Sequence, residues 1–249
     1  MIRRRVSFGR HILRGKPFLT AVYRAWYASL LRQIEHCGQP ILEIGSGAGF
    51  FKEHLPHLIT SDIQHLPWVD AVLDATALPF ADGSLGALVM INTFHHFSRP
   101  GVFLKEAARC VEPGGRVVMI EPWVTPWSRF VYRNFHHEPF EPDSEAWDLP
   151  RRGPLSTANG ALPWILFARD HERFAAEHPA WEVGEVRLLN PLTYLLSGGV
   201  SLRPLAPTWS YTFWSRIENW LGPLYGVCAL FARITLIRRH HAHASIPGS

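Results

Sequence analysis

The stretch "ILEIGSGAGFF", residues 41–51, decides the fold of this chain of 249 residues. It combines a short apolar run, which carries one acidic residue at Glu43, with glycines at positions 45, 47 and 49. A short apolar run is typical of a buried strand, and glycines let the backbone turn sharply and approach a ligand closely. The stretch therefore predicts a first strand that ends in a ligand-binding turn.

Strands and helices alternate along the rest of the chain. We predict strands at residues 41–44, 58–61, 69–73, 85–91 and 116–120, and helices at 17–37, 49–55 and 100–111. After Glu121 the pattern weakens, with strands predicted at 181–188 and 229–237 and helical segments at 191–197 and 209–221. Alternation of this kind is typical of a parallel sheet with right-handed crossovers. The predicted fold class is α/β: a Rossmann-like, doubly wound, mostly parallel seven-stranded sheet with an antiparallel last strand and an inserted cap after strand five.

The same pattern divides the chain into five parts. Residues 1–39 are predicted as a basic segment and a helix, 40–122 as the ligand-binding core, 123–180 as the inserted cap, 181–239 as the C-terminal part of the sheet domain, and 240–249 as a tail. A hydrophobic fraction of 47% is enough for a sizeable core. One domain with a large insertion suits a chain of this length.

Composition also bears on location. The three cysteines, Cys37, Cys110 and Cys228, lie far apart in the sequence, which favours reduced thiols in a cytoplasmic protein over a disulfide framework. No apolar run of about 18 residues occurs, so no membrane-spanning helix is predicted. Contact with a membrane surface is a separate question, because the N-terminus is rich in arginine and apolar residues between 209 and 221 fall on helical spacing. A solvated N-terminus and a helix packed on the sheet are the alternative, and the sequence also leaves the oligomeric state open.

Two aspartates follow the next strands along the chain. Asp62 ends the second predicted strand, where its carboxylate can accept hydrogen bonds from both hydroxyls of a ribose, and Asp74 ends the third, where it can accept from an adenine amino group. Ligands of open parallel sheets bind beyond the carboxyl ends of the strands. A dinucleotide would require glycine at the position of Phe50. Together these features describe a site for a nucleoside without a pyrophosphate.

The stretches "LEIGSGAGFF", "LITSDI", "DATALPFADGSLGALVMINTFHHF" and "VEPGGRVVMIEP" resemble the class I S-adenosylmethionine-dependent methyltransferases, in particular the type 11 small-molecule subgroup. One departure is Gly86, where many relatives have an acidic residue at the start of strand four. The resemblance implies S-adenosyl-L-methionine as cofactor, with its methionine part near Glu43, its ribose near Asp62 and its sulfonium near Asn92. The residues implied to contact it are Glu43, Gly45, Ser46, Gly47, Gly49, Phe50, Asp62, Ile63, Asp74, Ala75 and Asn92.

The predicted function is transfer of a methyl group to a hydroxyl or carbon of a small-molecule acceptor: a metabolite, a glycan or a lipid. An NAD(P)-dependent reductase is one alternative, but Phe50 and the lack of a Tyr-x-x-x-Lys pair near residues 130–160 count against it. A non-catalytic module that binds S-adenosylmethionine is another. Nucleic acid is not expected as a partner, since "NTFHHF" lacks the Asn-Pro-Pro-aromatic tetrapeptide that resembles amino-group methyltransferases of nucleic acid.

Candidate catalytic residues follow the fourth and fifth strands. One of His95 and His96 could take a proton from an acceptor hydroxyl, and Glu121 could orient the acceptor or act as a base. Packing or a structural hydrogen bond is the alternative for each. In the aromatic insertion, the candidate substrate contacts are Trp123, Arg133, His136 and His137. We predict no metal site, because the side chains of neighbouring residues in "FHHE" point in different directions.

Overall fold

The computed structural model describes residues 13–136, 138–150 and 158–240, and these residues form a seven-stranded sheet. Its order is β3-β2-β1-β4-β5-β7-β6. Strands β1 to β5 are parallel, and β7 runs antiparallel to both of its neighbours. The predicted fold class is therefore confirmed. The strands are β1 (Ile41–Ile44), β2 (Ile59–Asp62), β3 (Ala71–Val72), β4 (Leu85–Ile91), β5 (Val111–Pro122), β6 (Trp181–Leu189) and β7 (Phe231–Arg238).

Helices precede, connect and follow the strands. None among the described residues is both long and apolar enough to cross a bilayer. They are α1 (Pro17–Ile34), α2 (Pro100–Cys110), α3 (Pro126–Phe135), α4 (Leu162–Trp164, followed by a π-helical turn at Ile165–Arg169), α5 (His171–Glu177), α6 (Thr193–Leu196), α7 (Tyr211–Trp220) and α8 (Tyr225–Cys228).

The helix predicted at residues 49–55 is not formed. A single 3₁₀ turn, Phe51–Glu53, stands in its place. Gly47 and Gly49 have φ angles of 49° and 71°, which a right-handed helix does not contain. Helical backbone therefore begins only at residue 51, and the stretch offers no helix N-terminus to a ligand.

The central strand β4 explains how the sheet is covered on both faces. Successive side chains of a strand point to opposite faces, and β4 is apolar at nearly every position. Ala87 and Val89 pack in a cluster with buried residues of α1, whereas Leu88 and Met90 pack in a second cluster that includes α2. A strand buried on both sides is expected at the centre of a parallel sheet.

The packing around residue 86, at the start of β4, explains why it is glycine and not the acidic residue of many relatives. A Cβ atom at this position would lie 1.7 Å from the carbonyl oxygen of Gly38. The backbone N–H of Gly86 also donates to the oxygen of Pro40 at 2.9 Å. The entry of β4 is therefore packed against the chain that leads into β1, and no side chain fits between them.

The residues after β5 lie across the carboxyl edge of the sheet. Helix α3 begins with a capping box between Thr125 and Ser128, and Phe140 and Trp147 beyond it join the same apolar cluster as α2. The backbone N–H of Asn159 donates to the oxygen of His95 at 3.0 Å. This part of the chain therefore packs directly on the turn that follows β4.

Candidate active site at the carboxyl edge of the sheet

The glycine loop after β1 is built so that no side chain fits at its critical positions. Gly45 has a φ angle of 69°, and a Cβ atom there would lie 2.4 Å from Oγ1 of Thr93. At Gly49 the φ angle is 71°, and a Cβ atom would lie 2.8 Å from a ring carbon of Trp68. The loop backbone is thus held between the turn after β4 and the loop after β2.

Hydrogen bonds join this loop to β2. The carboxylate of Asp62 accepts from the N–H of Gly47 at 3.2 Å and from the N–H of Gln64 at 2.9 Å. Ser46 donates its N–H to the oxygen of Ser61 at 2.8 Å, and its hydroxyl accepts from the N–H of Ser61 at 3.1 Å. Burial raises the pKa of Asp62 despite these backbone donors. The structure therefore brings Asp62, Ser46 and Gly47 together, as the sequence predicts.

Glu43 lies buried at the same edge. Burial raises its pKa to about 8, against the opposing effect of a hydrogen bond with Ser46. Its Oε2 atom is buried and has no hydrogen-bond partner among the described residues. A buried carboxylate oxygen without a donor is costly, so this atom is suited to a donor supplied by a ligand.

Trp68 is a residue of this loop that the sequence analysis did not select. Its indole N–H donates to the backbone oxygen of Gly47 at 2.7 Å, and its ring contacts Gly49. A large aromatic residue soon after Asp62 was the available signal. The loop after β2 folds back over the glycines, and this tertiary contact, which the sequence does not show, places the ring of Trp68.

Four more residues that are predicted to contact the cofactor, of which Asp74 and Ala75 are predicted near adenine, lie in the loops after β1, β2 and β3. Ile63 is exposed beside Asp62, Phe50 is half-buried, and Ala75 is buried. Asp74 is exposed, and its Oδ1 accepts from the N–H and the hydroxyl of Thr76 at 2.8 and 2.7 Å. Because β1, β2 and β3 are parallel, these loops all follow the carboxyl edge of the sheet.

Asn92, directly after β4, has an unusual backbone. Its φ angle is 50° although it is not glycine, and this conformation is sparsely populated and often found at functional sites. The N–H of Asn92 donates to the oxygen of Ile120 on β5 at 2.9 Å, and its side chain shares a hydrogen bond with Tyr23 of α1. Asn92 is therefore fixed from both sides at the end of β4.

Glu121, at the end of β5, is completely buried, with an exposed fraction of 0%. Its Oε1 accepts from the backbone N–H groups of Thr93 and Phe94, both at 2.7 Å. Its Oε2 lies 2.6 Å from Nδ1 of His95. Glu121 thus fixes both the turn after β4 and the orientation of the His95 ring.

Four ionisable side chains meet in this part of the edge. His95, which is 3% exposed, directs Nε2 toward Glu138 at 3.4 Å, and Nε2 of His96 lies 3.9 Å from the same carboxylate. Burial alone would lower the pKa of His95, but the carboxylates of Glu121 and Glu138 raise it to about 9. Burial alone would raise the pKa of Glu138, but the neighbouring histidines lower it to about 2. The sequence groups Glu138 only with its neighbours His136 and His137, because nothing in its spacing links it to residues 95 and 96.

A cavity of about 250 Å³ opens beside this cluster. Its polar end is formed by Asn92, His95, His96 and Glu138, and the rest of its wall is mainly apolar. The other wall residues used below are Tyr132, Phe135, His136, Val200, Leu202 and Phe231.

The predicted substrate contacts occupy different places. His136 lines the cavity, and His137 lies outside the described residues. Trp123 is buried in the apolar cluster on the α2 face of the sheet and does not line the cavity. Arg133 is exposed, 3.9 Å from Asp143, and does not line it either. Of these four residues, the described structure places His136 alone at the cavity.

These residues fit S-adenosylmethionine. The loop after β1 leaves backbone accessible at three glycines, the buried oxygen of Glu43 is suited to a donor such as the ammonium of a methionine moiety, and Asp62 ends β2. Gly45 packs against Thr93, next to Asn92, so the loop adjoins the polar end of the cavity. The site thus has two adjoining parts, a glycine cradle and an acceptor-sized cavity.

Residues 42–119 match the family model described as a methyltransferase domain, Methyltransf_11. This stretch is therefore a methyltransferase domain, which confirms the resemblance seen in the sequence. The match supports the predicted class, a methyltransferase, for this part of the chain.

Two curated proteins match parts of the chain. A demethylmenaquinone methyltransferase of Beutenbergia cavernae is 42% identical over 57 residues, which are 23% of this chain and 24% of that protein. A 2-methyl-6-phytyl-1,4-hydroquinone methyltransferase of Synechocystis is 29% identical over 164 residues, which are 63% of this chain and 42% of that protein. The chain thus covers less than half of the length of either relative.

Solved structures share the fold at low sequence identity. A S-adenosylmethionine-dependent methyltransferase from Archaeoglobus fulgidus has a TM-score of 0.55 and 15% identity, over 86% of this chain and 94% of that chain. The [4+2]-cyclase SpnF has a TM-score of 0.52 and 14% identity, over 86% and 80%. Since a cyclase has the same fold, the fold alone does not define the reaction. The assignment to the methyltransferase class therefore rests on the family match of residues 42–119.

Proposed function

We propose that the protein transfers a methyl group from S-adenosylmethionine to a hydroxyl or carbon of a small acceptor that has an apolar part. One observation carries this proposal: the cofactor cradle and the cavity meet at one turn. Gly45 packs against Thr93, the N–H of Thr93 donates to Glu121, and Glu121 holds His95 at the polar end of the cavity. A transferred methyl group would therefore have a short path from the cradle into the cavity.

The cofactor side of the mechanism is binding and alignment. Glu43 and the glycine loop would hold the methionine part, Asp62 the ribose, and the loops with Ile63, Asp74 and Ala75 the adenine. The bound cofactor supplies an activated methyl group on a sulfonium. The protein aligns the acceptor with this methyl group and excludes water, which accounts for much of the catalysis in such transfers.

On the acceptor side, the cavity presents Nε2 of His95 beside Glu138. The flanking carboxylates favour a protonated ring, which donates a hydrogen bond. We infer that His95 holds an acceptor oxygen and stabilises negative charge on it, rather than acting as the base that the sequence suggested. The carboxylate of Glu138, which lies in the cavity wall, would take the proton of the acceptor hydroxyl. The negative charge left on oxygen activates a hydroxylated ring toward methylation at oxygen or at an adjacent carbon. After methylation at carbon, the ring proton moves to the oxygen.

The lining of the cavity and the names of the relatives support a hydroxylated aromatic acceptor with an apolar tail. Tyr132 and Phe231 are buried aromatic residues in the cavity wall, and aromatic side chains favour flat, apolar ligands. Both curated relatives are named for quinone or hydroquinone substrates. A hydroquinone head group beside His95, with its tail along the apolar wall, is the proposed arrangement.

Such an acceptor is held in lipid, and the mouth of the cavity suits access from a lipid surface. We define the apolar rim as Phe130, Phe135, Val200 and Leu202, which are all exposed. Three of them also line the cavity, and the ring of Phe130 lies 5.9 Å from that of Phe135. Arg129, Arg133 and Arg203 adjoin the rim in sequence and would complement an anionic bilayer. A cytoplasmic location at the membrane surface is part of this proposal.

Methyl transfer to a panel of acceptors tests the proposal. The full chain, given methyl-labelled S-adenosylmethionine, is expected to label hydroquinones with an alkyl or prenyl tail more efficiently than the same head groups without a tail. Calorimetry is expected to show binding of S-adenosylmethionine and none of NADH. Binding without S-adenosylhomocysteine formation on hydroquinones or on a lipid extract would contradict the proposal and support a non-catalytic module.

A pair of variants links the activity to the described site. His95→Gln removes the ring that touches the acceptor oxygen, so kcat is expected to fall by about 10²–10⁴-fold. The cofactor Kd should change little, because His95 lies on the acceptor side of Thr93. The control is His171→Gln, an exposed residue at the start of α5. Equal kcat values for His95→Gln and the control would refute the assigned role.

A further inference from the structure

Three side chains that can bind metal converge at the polar end of the cavity. His95, His96 and Glu138 each present one ligand atom, and these atoms all lie within 4.8 Å of one another. We propose that they form a binding site for a divalent transition-metal ion. The inference deepens the proposed function, on which the role of the ion rests, but binding of the ion can be measured without turnover.

The separations between the ligand atoms suit a common ion. Glu138 lies 3.4 Å from Nε2 of His95 and 3.9 Å from Nε2 of His96. Ions such as Zn²⁺ bind imidazole nitrogen and carboxylate oxygen at about 2.0–2.2 Å, so neighbouring ligand atoms lie roughly 3–4 Å apart. The two distances involve different oxygens of Glu138, Oε2 for His95 and Oε1 for His96. With one atom from each residue the separations stay within 4.8 Å, so the side chains would close slightly around an ion.

Glu121 provides the support that such a site needs. Metal-binding histidines commonly donate their second ring N–H to a carboxylate or a carbonyl, which fixes the ring orientation. Here Oε2 of Glu121 lies 2.6 Å from Nδ1 of His95. Because Oε1 accepts two backbone N–H groups, Glu121 is itself rigidly held. Nε2 of His95 is therefore directed at Glu138.

The charges of the cluster also call for a cation. Two carboxylates, those of Glu121 and Glu138, flank one buried imidazole. Charged groups shielded from water need partners of opposite charge. A divalent ion between His95, His96 and Glu138 would supply positive charge beside Glu138 in place of a proton on His95.

The ligand set indicates the kind of ion and its role. Two histidines and one carboxylate are typical of catalytic zinc and of non-haem iron sites, which keep positions open for other ligands. All three residues line the cavity, so the open positions would face the acceptor. On binding, the ion would displace the proton from Nε2 of His95 and take over the contact with the acceptor oxygen from that N–H. It would also lower the pKa of the acceptor hydroxyl. The sequence does not link these three residues, because Glu138 lies 42 positions after His96 (138 − 96 = 42).

The test needs a chain without a competing metal ligand. The sequence "RRHHAH" near the C-terminus contains three histidines, so the background is the full chain with His240, His241 and His243 replaced by Gln. Zn²⁺ is titrated by calorimetry and Co²⁺ by its visible absorption. We expect one ion per chain, with an absorption spectrum typical of nitrogen and oxygen ligands.

Variants in this background decide the proposal. Glu138→Gln and His96→Gln are each expected to weaken Zn²⁺ binding at least about tenfold, whereas Glu141→Gln and His171→Gln, both exposed, should leave it unchanged. Circular dichroism checks that each variant folds. No binding, or equal affinity in Glu138→Gln and Glu141→Gln, would overturn the metal site. Methyl transfer by metal-free protein would leave the proposed function intact while removing the proposed role of the ion.

Discussion

Glu43 combines an acidic side chain with a buried position in β1. Burial raises its pKa to about 8 from an ordinary value of 4.5. Between about pH 4.5 and 8 the folded protein therefore binds a proton that the unfolded chain releases. Linkage then requires the free energy of unfolding to fall as pH rises through this window, by at most about 1.4 kcal/mol per pH unit.

Glu43→Gln removes this proton and its pH dependence. Urea denaturation of the native protein and the variant at pH 5.5, 6.5 and 7.5 measures the effect. We expect the native protein to lose stability relative to the variant as pH rises. Other titrating groups, such as His95, are common to both proteins and cancel in the comparison. Parallel stability curves across the three pH values would show that Glu43 is ionised in the folded protein.

Asp62 is the residue on which the proposed recognition of ribose depends. Hydrogen bonds to a charged acceptor are worth about 1.5–3 kcal/mol each. Asp62→Asn keeps the shape but removes the charge, so S-adenosylmethionine should bind at least about tenfold more weakly by calorimetry. Asp148→Asn, an exposed residue of the insertion, is the matched control. If both variants bind the cofactor equally, the ribose is held by other groups.

At the scale of elements, the contact between the start of β4 and the chain before β1 sets a strict size limit. A Cβ atom at Gly86 would lie 1.7 Å from the oxygen of Gly38, so Gly86→Ala must displace one backbone segment. Overpacking of this kind costs about 1–3 kcal/mol, which urea denaturation will detect. Gly226→Ala in α8, where nothing lies within 4 Å, is expected to be neutral or stabilising. Similar stabilities for the two variants would show that the backbone segments at Gly86 and Gly38 can move apart at little energetic cost.

The elements also show where sequence periodicity is informative. Strands β4 and β5 are long, apolar and bounded by turns, and the sequence predicts both, as it does the antiparallel β7. The prediction of a helix at residues 49–55 is wrong, although the composition of this stretch suits a helix. Positive φ angles at Gly47 and Gly49 follow from contacts with Trp68 and Asp62, which lie in another part of the chain. The local sequence pattern therefore does not reveal these φ angles.

At the scale of the whole molecule, the cofactor side of the site follows from regular strands that the sequence predicts. The acceptor side depends on contacts between distant parts of the chain, which the sequence does not reveal. Glu43, Asp62 and Glu121 lie at or next to the carboxyl ends of parallel strands. Sheet topology alone therefore places them at one edge, and the sequence predicts that placement. Glu138 reaches His95 through the irregular chain after α3, which has no periodicity to read. The acceptor side was therefore predicted less well, with Trp123 packed in the core instead of lining the cavity.

The exposed apolar surface at the mouth of the cavity leads to the last prediction. Phe135 is 65% exposed and Leu202 is 57% exposed, although burial of such side chains is favourable by about 1.5–3 kcal/mol each. Insertion into the interfacial layer of a bilayer would recover part of that energy, and nearby arginines would add attraction to anionic lipid.

Co-sedimentation with vesicles of phosphatidylcholine and phosphatidylglycerol tests this surface. We expect the full chain to bind at low salt and less at high salt, because salt screens the arginines. The double variant Phe135→Ser and Leu202→Ser should bind at least about tenfold more weakly. Val102→Ser, on α2 and 36% exposed, controls for loss of an exposed apolar side chain elsewhere. Binding of the double variant equal to that of Val102→Ser would show that the apolar rim does not meet the membrane, and its exposure would then need another partner.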